Sequence, residues 1–513
     1  MSETTKVDVV VIGAGLGGLS AAAYLAQAGK RVLVLEHHTV PGGYAHEFRR
    51  GRYRFEVSLH NLDGAGPGGW VYRCFRELGV FDRVRFHRLD PLYAVKFPGR
   101  EVAAHADIGA YEEELLRQFP HERAGIRGLF DAMIQVQRET RRFTADRDLG
   151  LRLSRAEVAS HYPAMVGSMT QSWGDFMARY VSDPQLQGVL STLCPYYGLP
   201  PSQLSAGVFV LGWVSYHLFG GYYPEGGSMA VSRALERAIV QRGGEVRYRQ
   251  TVCGIELRDG RAAAVETEKG LRVEADEVIS NANPRDTLLQ FVGREHLPPD
   301  YVGKIDGDRV SASNLVVYLG LERDLVAEGW PHHELFLCAG YDGEASYRAA
   351  LEGRFEQTDL VVAYYNHADP TCAPPGGSVL SITALAAWDY ADQWGTGGRL
   401  DHYGKNPGYL ELKQDAGDKL IARVERLIPG LRSAIKHLDV ATPLTNHRYS
   451  LNPAGAIYGS EQTVENMFGG RLRATTPIPN LFLAGAWVAG GGQSVAVLSG
   501  RTAAQLARAY LGV

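Results

Sequence analysis

Residues 7–36 read VDVVVIGAGLGGLSAAAYLAQAGKRVLVLE, and this stretch decides the fold. The run VDVVVI is apolar almost throughout, as expected of a parallel strand buried on both faces. Gly13, Gly15 and Gly18 then set out G-x-G-x-x-G, followed by a small-residue helix through Ala22 and a second apolar strand, RVLVLE, ending on Glu36. Each residue type has a task in holding a dinucleotide. Gly13 permits the tight turn, Gly15 lets the backbone approach a pyrophosphate, and Gly18 allows close helix–strand packing. The helix start, with Ala14 and Leu16 beside the glycines, offers amide donors and the positive end of the helix dipole to the phosphates. Glu36 accepts from a ribose hydroxyl, and an acid there disfavours the 2′-phosphate of NADP. A lone glycine fingerprint is weak. Strand, fingerprint, helix, strand and terminal acid in this order read as a dinucleotide site.

Further segments say which dinucleotide. Pro41-Gly42-Gly43 follows the Glu36 strand directly, a glycine pair that a simple NAD dehydrogenase does not need. It suits backbone approach to the far half of a longer cofactor, the flavin side of FAD. Residues 222–256 read as a Gly-Gly turn, an amphipathic helix, and strands through Val246 and around Val252, the latter placed beside the adenine end. Residues 275–284, ADEVISNANP, form another strand emerging toward the cofactor. Near the C-terminus, LFLAGAWVAGGGQSVAVLSG (481–500) is a buried strand, a glycine-rich loop holding Gly485, Ala486 and Gly492, and a helix starting near Gln493 and Ser494. A helix start aimed at a flavin ring favours its anionic reduced form.

The totals bound the remaining choices. A chain of 513 residues with 45% apolar content has room for two or three domains. Its net charge of -4, with no Lys/Arg block, excludes a nucleic-acid partner. Cys74, Cys194, Cys253, Cys338 and Cys372 are scattered, without metal-ligand spacing, and read as reduced thiols of a cytoplasmic protein. No metal site is expected. Residues 1–13 enter a strand without the features of an export signal. Pro184 to Pro224 carries no charged residue, yet prolines and glycines break it below the ~20 apolar residues of a membrane span. It reads as a buried core helix with its flanks; the minority reading is a peripheral membrane contact.

The blocks GAGLGGL, PGG, FEVSLH (55–60), YYPEGG (222–227) and LAGAWVAGGGQSVAVLSG together resemble the phytoene desaturase, carotenoid isomerase and retinol saturase branch of the FAD-dependent amine-oxidase-like superfamily, over nearly the whole chain. Two departures refine the resemblance. Flavin amine oxidases usually carry Glu where this chain has Ala486, and no cysteine is near, so the resemblance implies non-covalent FAD and speaks against amine oxidation. Desaturases typically show Phe-Asp-x-Gly where Phe55-Glu56-Val57-Ser58 stands here, and the following His60 is more typical of saturase- and isomerase-like members.

The expected fold class is α/β: a discontinuous Rossmann-like FAD domain (1–75, 222–290 and 440–513) with an α+β substrate domain (76–221 and 291–439). The first insert is expected to be largely helical. The second carries strands 313–321, 334–339, 359–366 and 378–387 in one antiparallel sheet, then a helix from about Leu410 to Leu427. A sheet floor and helical lid over the flavin make an apolar cavity. The implied function is FAD-dependent desaturation, saturation or cis–trans isomerisation of carbon–carbon double bonds in a carotenoid- or retinoid-like polyene. Rivals are a flavin oxidase, desaturase or isomerase of a fatty acid, polyketide or other natural product, and a flavin-free lipid-binding escort of the same fold. With no second G-x-G-x-x-G, any electron donor or acceptor comes from outside.

The resemblance puts His60 near the flavin ring, where an imidazole titrating near neutrality either delivers a proton or only shapes the pocket. Asn61 and Asp63 read as turn residues. His217 either lines the cavity or packs in the core, while Tyr222, Tyr223 and Trp487 are placed as cavity wall. Arg49, Arg50, Arg52 and Arg54 form a solvated hairpin face.

Overall fold

The computed structural model describes residues 4–148 and 151–512. Its first sheet has five parallel strands in the order Glu245–Tyr248, Val32–Glu36, Thr4–Ile12, Arg272–Ser280, Leu481–Leu483. An antiparallel hairpin, Val252–Arg258 and Arg261–Thr267, joins the first half of Arg272–Ser280. The unbroken apolar runs are explained by cover on both faces. Val9, Val11, Val32 and Val34 pack beneath helices Leu16–Gln27, Gly227–Val240 and Gln493–Tyr510. Val10, Ile12, Leu33 and Leu35 pack with the hairpin and with residues 288–305 on the other face.

The small residues of the first and last helices serve one another. A Cβ on Gly500 would fall on the Gly17 carbonyl, and the Ser20 hydroxyl donates to the Val497 carbonyl at 2.9 Å. This close crossing brings two helix starts, from opposite ends of the chain, to the same edge of the sheet.

The second sheet has seven strands in the order Ile435–Ala441, Ser313–Leu321, Ser378–Ala386, Leu360–Tyr364, Glu334–Leu337, Tyr93–Phe97, Arg100–Ala104. The four expected strands are present. The last two in this order come from the first insert, which is otherwise largely helical, and Tyr93–Phe97 runs parallel to Glu334–Leu337. Charges at Lys96, Arg100 and Glu101 interrupt the apolar pattern there and hide the strands. Ile435–Ala441 pairs with Ser313–Leu321, so the expected division at residue 440 cuts a strand. The helix Pro407–Glu425, capped by the Asn406 side chain, lays Leu420, Ile421 and Val424 against this sheet.

The uncharged stretch becomes core. It forms helices Pro184–Leu190 and Ala206–Phe219, with Leu186, Val189, Phe209, Val210 and Val214 buried among the helices of the first insert. Among the described residues no helix is long and apolar enough to cross a membrane. The hairpin Glu47–Arg50/Tyr53–Glu56 is formed, but its basic face is not simply solvated. Arg54 pairs with buried Asp369 and, at 3.0 Å, with Glu47; Asp369 also accepts from the Gly226 amide at 2.8 Å. Arg54 therefore ties the hairpin to the turn that starts helix Gly227–Val240.

Candidate functional site

One cavity of about 650 Å³ runs from the Gly13–Gly17 turn and Glu36 to Leu193, Tyr196, Phe336 and Leu385. At the first end the walls are backbone. No side chain caps the helix after Gly15, so its first amides are left free beside the cavity. Gly42 donates its amide to the Ala14 carbonyl at 2.7 Å, which lays the second glycine pair on the first turn; its φ of 115° is glycine territory. A Cβ on Gly18 would collide with the Gly13 carbonyl, and one on Gly15 would sit 2.6 Å from Asn281 Nδ2. Glu36 is buried, and its carboxylate accepts from the Ala14 amide and the His38 amide, both at 2.7 Å. Before any ribose arrives, then, Glu36 already fixes the phosphate turn, a task the sequence did not reveal. Val252 lines the same end beside Gln250 and Thr251.

The C-terminal loop supplies the next wall, since Gly485, Ala486, Gly492, Gln493 and Ser494 all line the cavity. The Gly485 amide donates to Ser499 Oγ at 2.8 Å, and Gln493 Nε2 donates to Ser58 Oγ at 3.2 Å. No side chain caps the helix at Gly492. Asp63 is more than a turn residue: Ser494 Oγ donates to its carboxylate, and burial pushes its pKa up. The uncapped helix starts, the glycine approaches and Glu36 fit a dinucleotide whose second half extends to Gly485–Ser494.

His60 lies farther along the wall. Its Nδ1 is 2.9 Å from the Tyr365 hydroxyl, which is 3.1 Å from Ser381 Oγ. His333 Nε2 donates to the His60 carbonyl at 2.8 Å. Burial first, and then the neighbouring His333, push the His60 pKa down to about 3. The ring is thus neutral at pH 7, which corrects the expectation of a side chain titrating near neutrality. It acts as a hydrogen-bonding group, not as an imidazolium.

The other candidates divide. Trp487 lines the cavity, with Nε1 3.2 Å from Asn452 Oδ1. His217 is not on the wall; it is packed between Tyr111, stacked nearly parallel at 5.2 Å, and Trp213, at 4.1 Å. Tyr222 is likewise off the wall, paired with Leu62 in a three-stranded sheet, and Tyr223 is buried against His333 and Tyr365. Sequence reasoning missed Tyr196, Phe336, Tyr365, Tyr458 and Gln462. They come from separate parts of the chain, and no local motif marks them. Tyr196 Oη and Gln462 Nε2 are buried without a partner among the described residues. Glu56, in the departure from the desaturase pattern, accepts from Ser228 N at 2.7 Å and Ser228 Oγ at 2.6 Å and so anchors the start of helix Gly227–Val240.

This two-sheet fold with an FAD cradle is that of a flavin oxidoreductase, and residues 16–507 match the family described as flavin containing amine oxidoreductase. The chain belongs to that family and is an FAD-dependent oxidoreductase. It is similar to human all-trans-retinol 13,14-reductase, 28% identical over 511 residues, covering 94% of this chain and 82% of the relative. It is also similar to chloroplastic prolycopene isomerase 1 of an Oncidium hybrid cultivar, 26% identical over 540 residues, covering 100% and 86%. Among solved structures, an oxidoreductase from Methanosarcina mazei shares the fold with a TM-score of 0.65 and 18% identity, covering 98% of this chain and 100% of that one.

Proposed function

We propose that this oxidoreductase acts on carbon–carbon double bonds of a long apolar polyene, the substrate type named for the retinol reductase and prolycopene isomerase it resembles. The observation that carries the reading is the continuity of the cavity from the cradle into a chamber walled by Leu193, Tyr196, Leu211, Phe336, Val361 and Leu385. Residues 1–75, 222–290 and most of 440–513 form the FAD domain, and the two inserts form the substrate domain. Gly13–Gly18, Glu36, Gly42, Gly43 and Val252 would hold the adenosine and pyrophosphate, and Gly485–Ser494 the flavin end. No cysteine lines the cavity among the described residues, consistent with FAD held without a covalent bond.

Bound FAD supplies hydride acceptance or donation. The chain's own residues do the rest. The aromatic and aliphatic walls exclude water and hold an extended chain, and so orient its double bonds. Neutral His60 meets the Tyr365 hydroxyl at Nδ1 while the residue lines the cavity, so the pair would position a substrate and pass a proton without itself carrying charge. The free helix start at Gly492 favours negative charge beside it. The intact Glu36 and uncapped first helix speak against a flavin-free lipid escort, and electrons for a net redox reaction come from an external partner.

The test is to incubate FAD-loaded protein, oxidised and pre-reduced, with all-trans-retinol and with poly-cis lycopene, and to weigh the products. A gain of two hydrogens identifies saturation, a loss desaturation, and unchanged mass with altered retention isomerisation. Unaltered polyenes under every condition would sink the reading.

A further inference from the structure

The helix Arg123–Asp148 carries Gln137, Thr140 and Arg141, spaced so that they share one face, and all three line the cavity. Gln137 is 4% exposed, and its side-chain amide makes no hydrogen bond among the described residues. Facing the cavity, this amide keeps its donors and acceptor for whatever enters there. Thr140 is already committed, donating to the Val136 carbonyl at 2.8 Å. One turn beyond Gln137, Arg141 is exposed yet lines the cavity, so the cavity reaches solvent here. Its guanidinium lies 5.3 Å from the Phe219 ring centroid, and no carboxylate pairs with it among the described residues. Among the described residues Arg141 is the one arginine that lines the cavity.

A bare hydrocarbon has no use for a buried primary amide and an unpaired guanidinium. We propose that Gln137 and Arg141 receive the carboxylate end of an apolar unsaturated chain whose body lies in the chamber. The substrate class is thereby a monocarboxylic polyene or acyl chain. One carboxylate oxygen takes the guanidinium fork and the other the Gln137 NH2 group, a pairing that neither an ester nor a hydrocarbon end reproduces. This rests on the polyene reading for the chain's body but not for its anchor. Because Arg141 is exposed, the preference weakens as salt rises.

The experiment is isothermal titration calorimetry on FAD-loaded protein with two matched pairs: retinoic acid and methyl retinoate, palmitate and methyl palmitate. The expected result is an acid bound about tenfold or more tighter than its ester, the scale of a lost charge-assisted hydrogen bond. Arg141→Leu brings acid and ester within about twofold of each other, Gln137→Leu narrows the gap in part, and neither changes ester affinity, which reports an intact chamber. Acid and ester bound alike in both pairs, or no binding in either, overturns the anchor, as does a preference that survives Arg141→Leu. If retinoids bind without regard to the carboxylate, the polyene reading stands and the anchor falls. If neither retinoid binds while palmitate shows the Arg141-dependent preference, the anchor stands and the polyene reading falls.

Discussion

The two ends of the cavity are built by different means. The cradle is made of backbone: helix amides after Gly15 and Gly492, the stacked glycine turns at residues 13–18 and 42–43, and one acid, Glu36, that itself binds two amides. The chamber is made of side chains brought from separate segments, such as Tyr196, Leu211, Phe336 and Leu385. Backbone recognition tolerates most side chains but is strict about where a Cβ is allowed. Side-chain recognition leaves the backbone free and can change with each substitution. On the proposed reading the cradle would fix the cofactor, while the chamber would set the substrate.

The largest expected effect is at the cradle. In Gly18→Val the new side chain collides with the Gly13 carbonyl, which forces the helix off the strand and spoils the phosphate turn. Flavin absorbance after purification should vanish, with FAD affinity reduced by at least ~100-fold, the scale expected for losing several amide contacts at once. Phe336→Ala should leave the protein yellow while weakening substrate binding. Yellow Gly18→Val protein with ordinary FAD affinity would erase the distinction between the two ends.

That division also explains what the sequence disclosed. The cradle was legible because its requirements are local: glycine where φ is positive or a helix must touch its strand, and an acid at a strand end. The second sheet was legible in four strands of seven. Tyr93–Phe97 and Arg100–Ala104 escaped because charged residues on them break the period, and because this hairpin joins the sheet only through Glu334–Leu337, more than two hundred residues away. His60 and His217 show the limit most sharply. Both are buried histidines in apolar surroundings, and only tertiary packing puts one on the cavity wall beside Tyr365 and the other between Tyr111 and Trp213. The chamber could not be read, because no spacing rule joins Tyr196, Phe336 and Leu385.

A smaller effect probes the junction of the two ends. His60→Ala and Tyr365→Phe should each keep FAD while slowing turnover by about 10- to 100-fold, the low end for a positioned proton-transfer group. Since the His60 pKa lies at about 3, its titration leaves no inflection in kcat between pH 5 and pH 8. A His60-dependent inflection near pH 6.5 would show that the ring charges in the working enzyme and is not held neutral by its surroundings.

The smallest effect returns to the cradle's own sheet and asks whether everything there serves the cofactor. Glu277, paired in register with Val9, is fully buried, and neither carboxylate oxygen has a hydrogen-bond partner among the described residues. Burial is the main cause that pushes its pKa up to about 8. Between the unfolded value near 4.5 and about 8, the folded chain keeps a proton that the unfolded chain releases. The group's contribution to stability is therefore full below 4.5, declines as pH rises through that window, and is lost above about 8. Glu277→Gln carries no charge at any pH. It should leave Tm unchanged at pH 5 and raise it by roughly 2 °C at pH 8.5, with FAD binding untouched. Equal Tm changes at both values would mean that the carboxyl is ionised in the fold and finds its compensation elsewhere. A loss of FAD would mean that this acid, three residues before Ser280 on the strand, belongs to the cradle after all.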